Sequence, residues 1–224
     1  MTRAGTPEAG STATLTRIRL NRRSAAVRRD IANTDHMHKT VMRLAPDDLG
    51  TNPRQKARLL FRLEHATNRT PPTLLVQSHQ PPDLTRLSRK YGTAETRDLA
   101  PMLNALTPGL RVRYRITANA TASRLDPKDR YPGSKKRGTV IPLYGKQALA
   151  WWQRRAENAG LALMTTDLTP IRRRRTQAPG PLHTLTRFDG IATIAEPHQL
   201  HHALLTGIGR GKSYGAGLLS LAPA

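Results

Sequence analysis

Between Leu110 and Ala118 the chain alternates without a break. Arg111, Arg113 and Arg115 fall on one side, and Val112, Tyr114, Ile116 and Ala118 on the other. A period of two commits this stretch to an extended strand with one apolar and one cationic face. Such a strand belongs in an antiparallel sheet covered by helices on one side only. The pattern recurs. Thr14–Leu20 turns Ile18 and Leu20 inward and Arg17 and Arg19 outward; Ala57–Glu64 sets Leu59, Phe61 and Leu63 against Arg58 and Arg62; Leu74–Ser78 is a further apolar strand.

Helical spacing alternates with these strands. Thr34–Ala45 carries Met37, Val41, Leu44 and Ala45 on one stripe, with Asn33 or Thr34 placed to cap it and Pro46 to end it. Lys146–Ala159 places Leu149, Trp152, Ala156 and Ala159 together, with Gly160 following as the C-terminal stop. Glu196–Thr206 opens on Pro197, presents Leu200, Ala203 and Leu204, and stops at Gly207. Weaker signals predict a helix near Asp83–Lys90 and a strand near Ala94–Leu99, before a Pro- and Gly-marked junction at Leu106–Gly109. A last strand runs from Gly217 to Leu221. The order predicts an α+β chain of two tandem ferredoxin-like units, each βαββαβ and RRM-like with an antiparallel sheet. The expected division is a disordered tail over 1–12, an N-terminal domain over 13–104 and a C-terminal domain over 105–224.

Charge narrows the partners. Lys and Arg number 37 against 15 Asp and Glu, a formal net charge of +22. Self-repulsion on that scale calls for a polyanion, and nucleic acid is the usual one. The outward arginine rows would give both sheets a basic open side. Two further segments concentrate charge: Asp126–Lys136, running into Lys135, Lys136 and Arg137, and Ile171–Gly180 with the consecutive Arg172, Arg173, Arg174 and Arg175. The second reads as a hairpin or finger suited to a phosphate backbone. Aromatic residues make up 4% of the chain, and no RNP-like aromatic motif is present, which favours structured RNA read by backbone and shape over stacked single strands.

Other classes are excluded or disfavoured. The chain has no cysteine, which removes disulfides, thiolate zinc sites and cysteine nucleophiles and suits a cytoplasmic protein. Its apolar runs, such as Leu161–Met164, are far shorter than a membrane span, and residues 1–12 lack the apolar core of a signal peptide. The carboxylates are scattered, with Asp47–Asp48 the one adjacent pair, and no DxD or HExxH motif occurs, so neither a catalytic metal nor a cofactor is expected.

Two constellations remain for chemistry. His36-Met37-His38-Lys39 falls in the first turns of a predicted helix, where unpaired N–H groups favour phosphate and imidazole is suited to move protons. Gly207-Ile208-Gly209-Arg210-Gly211-Lys212-Ser213-Tyr214-Gly215-Ala216-Gly217 can approach a phosphate through its backbone; its spacing matches neither a P-loop nor a dinucleotide fingerprint.

The C-terminal stretch GIGRGKSYGAGLLSLAP, Gly207–Pro223, resembles the signature of the CasE-type CRISPR RNA endoribonucleases of type I-E systems. Arg29-Asp30-Ile31-Ala32-Asn33 with Met37-His38 resembles their catalytic-helix region, LRVRYRITAN over Leu110–Asn119 their strand ending in an RxRxRAN-like pattern, and Lys146–Arg155 their AWL-type helix. With Leu59–Glu64 and Leu74–Ser78, the resemblance covers nearly everything after residue 13. It implies a chain that binds the repeat hairpin of the precursor transcript and cuts the 3′ base of the stem by 2′-hydroxyl attack. The products would be a 2′,3′-cyclic phosphate and a 5′-hydroxyl. It implies further that the protein keeps its product and joins the other subunits of Cascade. His38 falls at the family's catalytic histidine. Three residues earlier, where members often carry a tyrosine, this chain has Asp35, an accessory candidate that could orient His38, so the second proton-transfer group stays open among His36, Lys39 and Lys212. Gly207, Gly209, Arg210, Gly211, Lys212, Ser213 and Gly215 match the glycine-rich RNA-contacting loop, and Arg172–Arg175 the variable hairpin that touches the stem. The rival readings are a non-catalytic RNA-binding subunit of a ribonucleoprotein and, with less support, a duplex-DNA binder.

Overall fold

Each alternating segment becomes a strand whose apolar face lies under a helix. The computed structural model describes residues 13–45, 56–68, 70–125, 138–171 and 184–224. The predicted tail 1–12, Pro46, Asp47–Asp48, Lys135–Arg137 and Arg172–Arg175 lie outside the described residues. The chain divides into two units, one of residues 1–106 with Ser213–Gly215, the other of Thr107–Lys212 with Ala216–Ala224.

In the first unit β1 (Thr14–Leu20), β2 (Leu60–Glu64), β3 (Thr73–Ser78) and β4 (Gly92–Asp98) form an antiparallel sheet in the order β2-β3-β1-β4. The β1–β2 connection carries α1 (Ala25–Ala32) and α2 (Thr34–Met42). Ile18, Leu20, Phe61, Leu74 and Val76 from the sheet share one core with Val27, Met37, Val41 and Leu44. Four expectations need correction. The α1 segment gave no helical signal, because Arg28, Arg29 and Asp30 interrupt the stripe made by Val27 and Ile31. The predicted Thr34–Ala45 helix ends at Met42; Leu44 and Ala45 are buried in the turns that follow, tied down by Asp83 N–H donating to Leu44 O (2.9 Å) and by the Arg86 guanidinium on Ala45 O (3.2 Å). The predicted Asp83–Lys90 helix is a single 3-10 turn, Leu84–Arg86, held by the Asp83 side chain accepting from Thr85 and Arg86. The Ala57–Glu64 strand begins at Leu60, after Arg58 turns the chain at φ 47°, and Arg62 is not on a solvent face: it is 3% exposed and paired with Glu64 at 2.7 Å.

The second unit repeats the order. β5 (Arg111–Ala118), β8 (Leu161–Ile171), β9 (Leu185–Ile194) and β10 (Leu219–Pro223) make an antiparallel sheet, β10-β5-β9-β8. A short hairpin of β6 (Thr121–Arg124) and β7 (Thr139–Pro142), absent from the sequence reading, stands between β5 and the next helix. The first unit also contains a short helix, α3 (Ala100–Asn104); the second contains α4 (Gly145–Glu157) and α5 (Pro197–Thr206). On α4 the buried positions are Ala148, Trp151, Trp152 and Ala156, while Leu149, expected on that face, is half-buried. With strand order 4-1-3-2 in both units, the α+β ferredoxin-like reading stands, except that the first unit has only a 3-10 turn where its second helix was expected.

The second core is organised by aromatic rings. Trp152 lies 5.6 Å from both Tyr114 and Phe188, ring centroid to centroid. Its indole N–H donates to the Tyr114 hydroxyl at 3.2 Å, which in turn meets Thr165 O at 3.1 Å and Thr166 Oγ1 at 2.6 Å. Every polar atom brought inward by these rings is thereby satisfied, the condition for burying Trp and Tyr without penalty. Burial raises the Tyr114 hydroxyl above the ordinary phenol range, so it stays protonated as a donor. Gly190 sits opposite both Tyr114 and Thr166; a Cβ there would run into Thr165 O and stand 2.8 Å from the Tyr114 hydroxyl. Gly190→Ala is therefore expected to destabilise the protein by about 1–3 kcal/mol, the usual cost of overpacking, read from the midpoint of urea unfolding.

Candidate nucleic-acid interface and proton-transfer site

The first unit supplies the candidate proton-transfer helix. Asn33 is extended (φ −134°, ψ 116°), breaks α1 from α2, and caps α2 by accepting the Asp35 N–H at 2.8 Å. Asp35 is exposed in the first turn, where a carboxylate suits the helix dipole. Met37, Thr40 and Val41 face the core. The residues beside them are thereby pushed to the rim: His36 and His38 are half-buried and Lys39 is exposed. Nδ1 of each histidine is buried.

Beneath that helix lies a polar network that the sequence reading did not find. Asp30, 1% exposed, accepts Thr40 Oγ1–H at 2.6 Å and the Tyr91 hydroxyl at 2.9 Å on Oδ2, and Arg29 at 3.0 Å on Oδ1. Arg43 donates to Thr40 Oγ1 at 3.1 Å, and the Tyr91 hydroxyl also touches Met37 Sδ at 3.9 Å. Burial, then the neighbouring Asp30 charge, raise the Tyr91 phenol far above its usual range, so it is a fixed donor. One signal could have exposed the network: Asp30 occupies the apolar stripe of α1 with Val27, where a carboxylate must find partners.

The basic strand faces are in place, but partly neutralised. Arg19, Arg111 and Arg113 are exposed. Arg17 is ion-paired with Glu95, its register partner on β4. Arg115 is ion-paired with Asp189, its partner on β9, and Arg187 reaches the same carboxylate at 2.7 Å. Two guanidiniums thus share one carboxylate on the open face of the second sheet, while Arg113 bonds Pro223 O at 3.0 Å.

In the glycine-rich stretch, Gly207, Gly209, Gly211, Gly215 and Gly217 all have positive φ, between 74° and 88°, a conformation L side chains rarely adopt. Positive φ at every second residue from 207 to 211 lets the backbone turn tightly where other side chains would be strained. Gly207 ends α5, Ile208 N–H meets Gly217 O at 2.9 Å, and Gly217 N–H meets Thr117 O at 2.8 Å, which fastens the loop to β5. Arg210 bridges Asn119. Lys212, a candidate for proton transfer, points its Nζ at Thr206 O (2.7 Å), where it caps the C-terminus of α5; Ser213 follows in a 3-10 turn with it. Lys135, Lys136 and Arg137 fall between β6 and β7, and Arg172–Arg175 between β8 and β9, which pair as far as Ile171 and Leu185. Among the described residues no three His, Cys, Asp or Glu gather as a metal site, and no helix is long and apolar enough to cross a membrane.

The family described as CRISPR associated protein matches residues 15–223. The CRISPR-associated endoribonuclease Cse3 of Thermus thermophilus is 33% identical over 223 residues, covering 93% of this chain and 99% of that protein. The CRISPR system Cascade subunit CasE of Escherichia coli is 29% identical over 194 residues, 84% of this chain and 90% of its own length. The structure of Thermus thermophilus Cse3 bound to an RNA representing a pre-cleavage complex superposes with a TM-score of 0.78 at 31% identity, covering 95% of this chain and all of that one.

Proposed function

The chain belongs to the Cse3/CasE family of CRISPR-associated endoribonucleases, subunits of type I-E Cascade, and on that premise we propose that it binds the repeat hairpin of precursor CRISPR RNA and cuts the 3′ base of its stem without a metal ion. The observation that carries this reading is the placement of His38: at the rim of a capped helix whose other face is locked into the core. In the reaction the 2′-oxygen bonds to the adjacent phosphorus as the phosphorus–5′-oxygen bond breaks. One proton leaves the 2′-hydroxyl and one reaches the departing 5′-oxygen, leaving a 2′,3′-cyclic phosphate and a 5′-hydroxyl. His38 performs one of these transfers. His36, Lys39 and Lys212 are the candidates for the other transfer, Lys212 only after releasing Thr206 O, with Asp35 placed to orient His38. The product RNA stays bound as the protein takes its place in Cascade, in the cytoplasm.

Binding rests on Arg17, Arg19, Arg111, Arg113 and Arg115, on Lys135–Arg137 and Arg172–Arg175, and on the glycine-rich stretch Gly207–Gly215. A-form RNA hides its base edges in a deep, narrow groove, so recognition is through phosphates and shape. Arg111→Gln is expected to weaken binding to every hairpin alike and to reduce the slope of log affinity against log salt by about one. Nitrocellulose-filter titrations over a salt series check this. The reaction itself is tested by incubating the protein with repeat hairpin in excess EDTA and mapping the product ends. Cyclic phosphate formed at an undiminished rate supports the reading; cleavage that EDTA abolishes sinks it.

A further inference from the structure

We propose that Asp30, Thr40 and Tyr91 act as positioning residues for His38, a role that rests on the catalytic reading above. Apolar packing of Met37 and Val41 holds α2 against the core, but such contacts have no direction and let a helix slide or roll. The Asp30 carboxylate removes that freedom. It takes the Thr40 hydroxyl at 2.6 Å, two residues beyond His38, and the Tyr91 hydroxyl at 2.9 Å, which also touches Met37, the residue before His38. Thr40 is tied in turn to Arg43 at 3.1 Å. Thr40 is therefore pinned to a carboxylate on a different helix, and Met37 lies against the hydroxyl that donates to the same carboxylate. Asp30 and Tyr91 are 1% and 3% exposed, so neither group touches RNA, and the Tyr91 phenol cannot stand in as a proton donor to it. Displacement of a reacting group by about 1 Å costs on the order of a hundredfold in rate.

The test compares Thr40→Val and Tyr91→Phe, which delete one hydroxyl each with little change of shape, with Thr40→Ser, which keeps it. Single-turnover cleavage of repeat hairpin should fall by about tenfold to a hundredfold in the first two, with RNA affinity within about twofold of the parent, while Thr40→Ser stays near the parent rate. Adding Thr40→Val or Tyr91→Phe to His38→Ala should cost nothing more, since a misplaced group that is already absent has no further effect. Parent-like cleavage by folded Thr40→Val and Tyr91→Phe overturns the proposal, as does an equal further loss in the His38→Ala background, which would mark a general structural role. Should Thr40→Val not fold, Tyr91→Phe, whose ring still fills the core, decides alone. Parent-like cleavage by His38→Ala itself overturns the catalytic assignment, and the positioning role with it; loss there with no loss in Tyr91→Phe overturns positioning only.

Discussion

His38→Ala should cut repeat RNA slower by on the order of 10²–10⁴, the contribution of a positioned general acid or base, while binding it as the parent does. The two halves of that expectation have separate physical origins. His38 sits on the rim of α2, and its neighbours Met37, Thr40 and Val41 carry the packing, so truncation leaves the core intact. Affinity is set elsewhere, by a formal charge of +22 that the substitution leaves unchanged when the histidine is neutral. The remaining rate reflects the bound geometry of the RNA and the second proton-transfer group. A filter-binding titration beside a single-turnover time course, both in EDTA, separates the terms. Unchanged cleavage would overturn the assignment of His38; a parent protein that binds the hairpin and cuts nothing would return the chain to the rival reading of a non-catalytic RNA-binding subunit, in which Asp35 at the family's tyrosine position marks lost activity. Loss of binding together with cleavage would show that the imidazole holds RNA instead of moving its proton.

What could be read from the chain alone was whatever a short window contains. β1 and β5 were legible because Ile18 and Leu20, or Val112, Tyr114 and Ile116, alternate with arginine over consecutive residues. α5 was legible because Pro197 and Gly207 punctuate it at both ends. The failures share one cause: the deciding partner lay far along the chain. Arg17 and Arg115 looked like free cations, yet register sets Glu95 and Asp189 directly across from them, and register is fixed by pairing between distant strands. Arg62 followed the strand alternation faithfully; that its face is buried is tertiary information. β6 and β7 have too few apolar residues to announce themselves and exist by pairing with each other. The site divides in the same way. His38 and the glycine-rich stretch were visible as residue types in a local pattern. The support under His38 was not, because it joins Asp30 to Tyr91 across 61 positions of sequence.

That support also fixes the largest expected effect on stability. Asp30→Ala removes a carboxylate whose side chain has no solvent exposure and which accepts from Thr40, Tyr91 and Arg29. Arg29 is half-exposed and returns to water at little cost. The hydroxyls of Tyr91 and Thr40 do not; Tyr91 is 3% and Thr40 4% exposed, and each buried donor left without an acceptor costs about 1–3 kcal/mol. A small cavity adds to that, so the total expected loss is about 3–5 kcal/mol, as for breaking a buried charged network from one side. This is a large part of the stability of a typical domain. Asp30→Asn keeps the volume and one acceptor oxygen, but its amide opposes the incoming hydroxyl donors, so its loss should be smaller yet distinct from zero. Amide hydrogen exchange of α1 and α2 along a urea series reads the change where it arises. Equal stability of parent and Asp30→Ala would mean that water already satisfies the two hydroxyls and that apolar contacts alone hold α1 against α2.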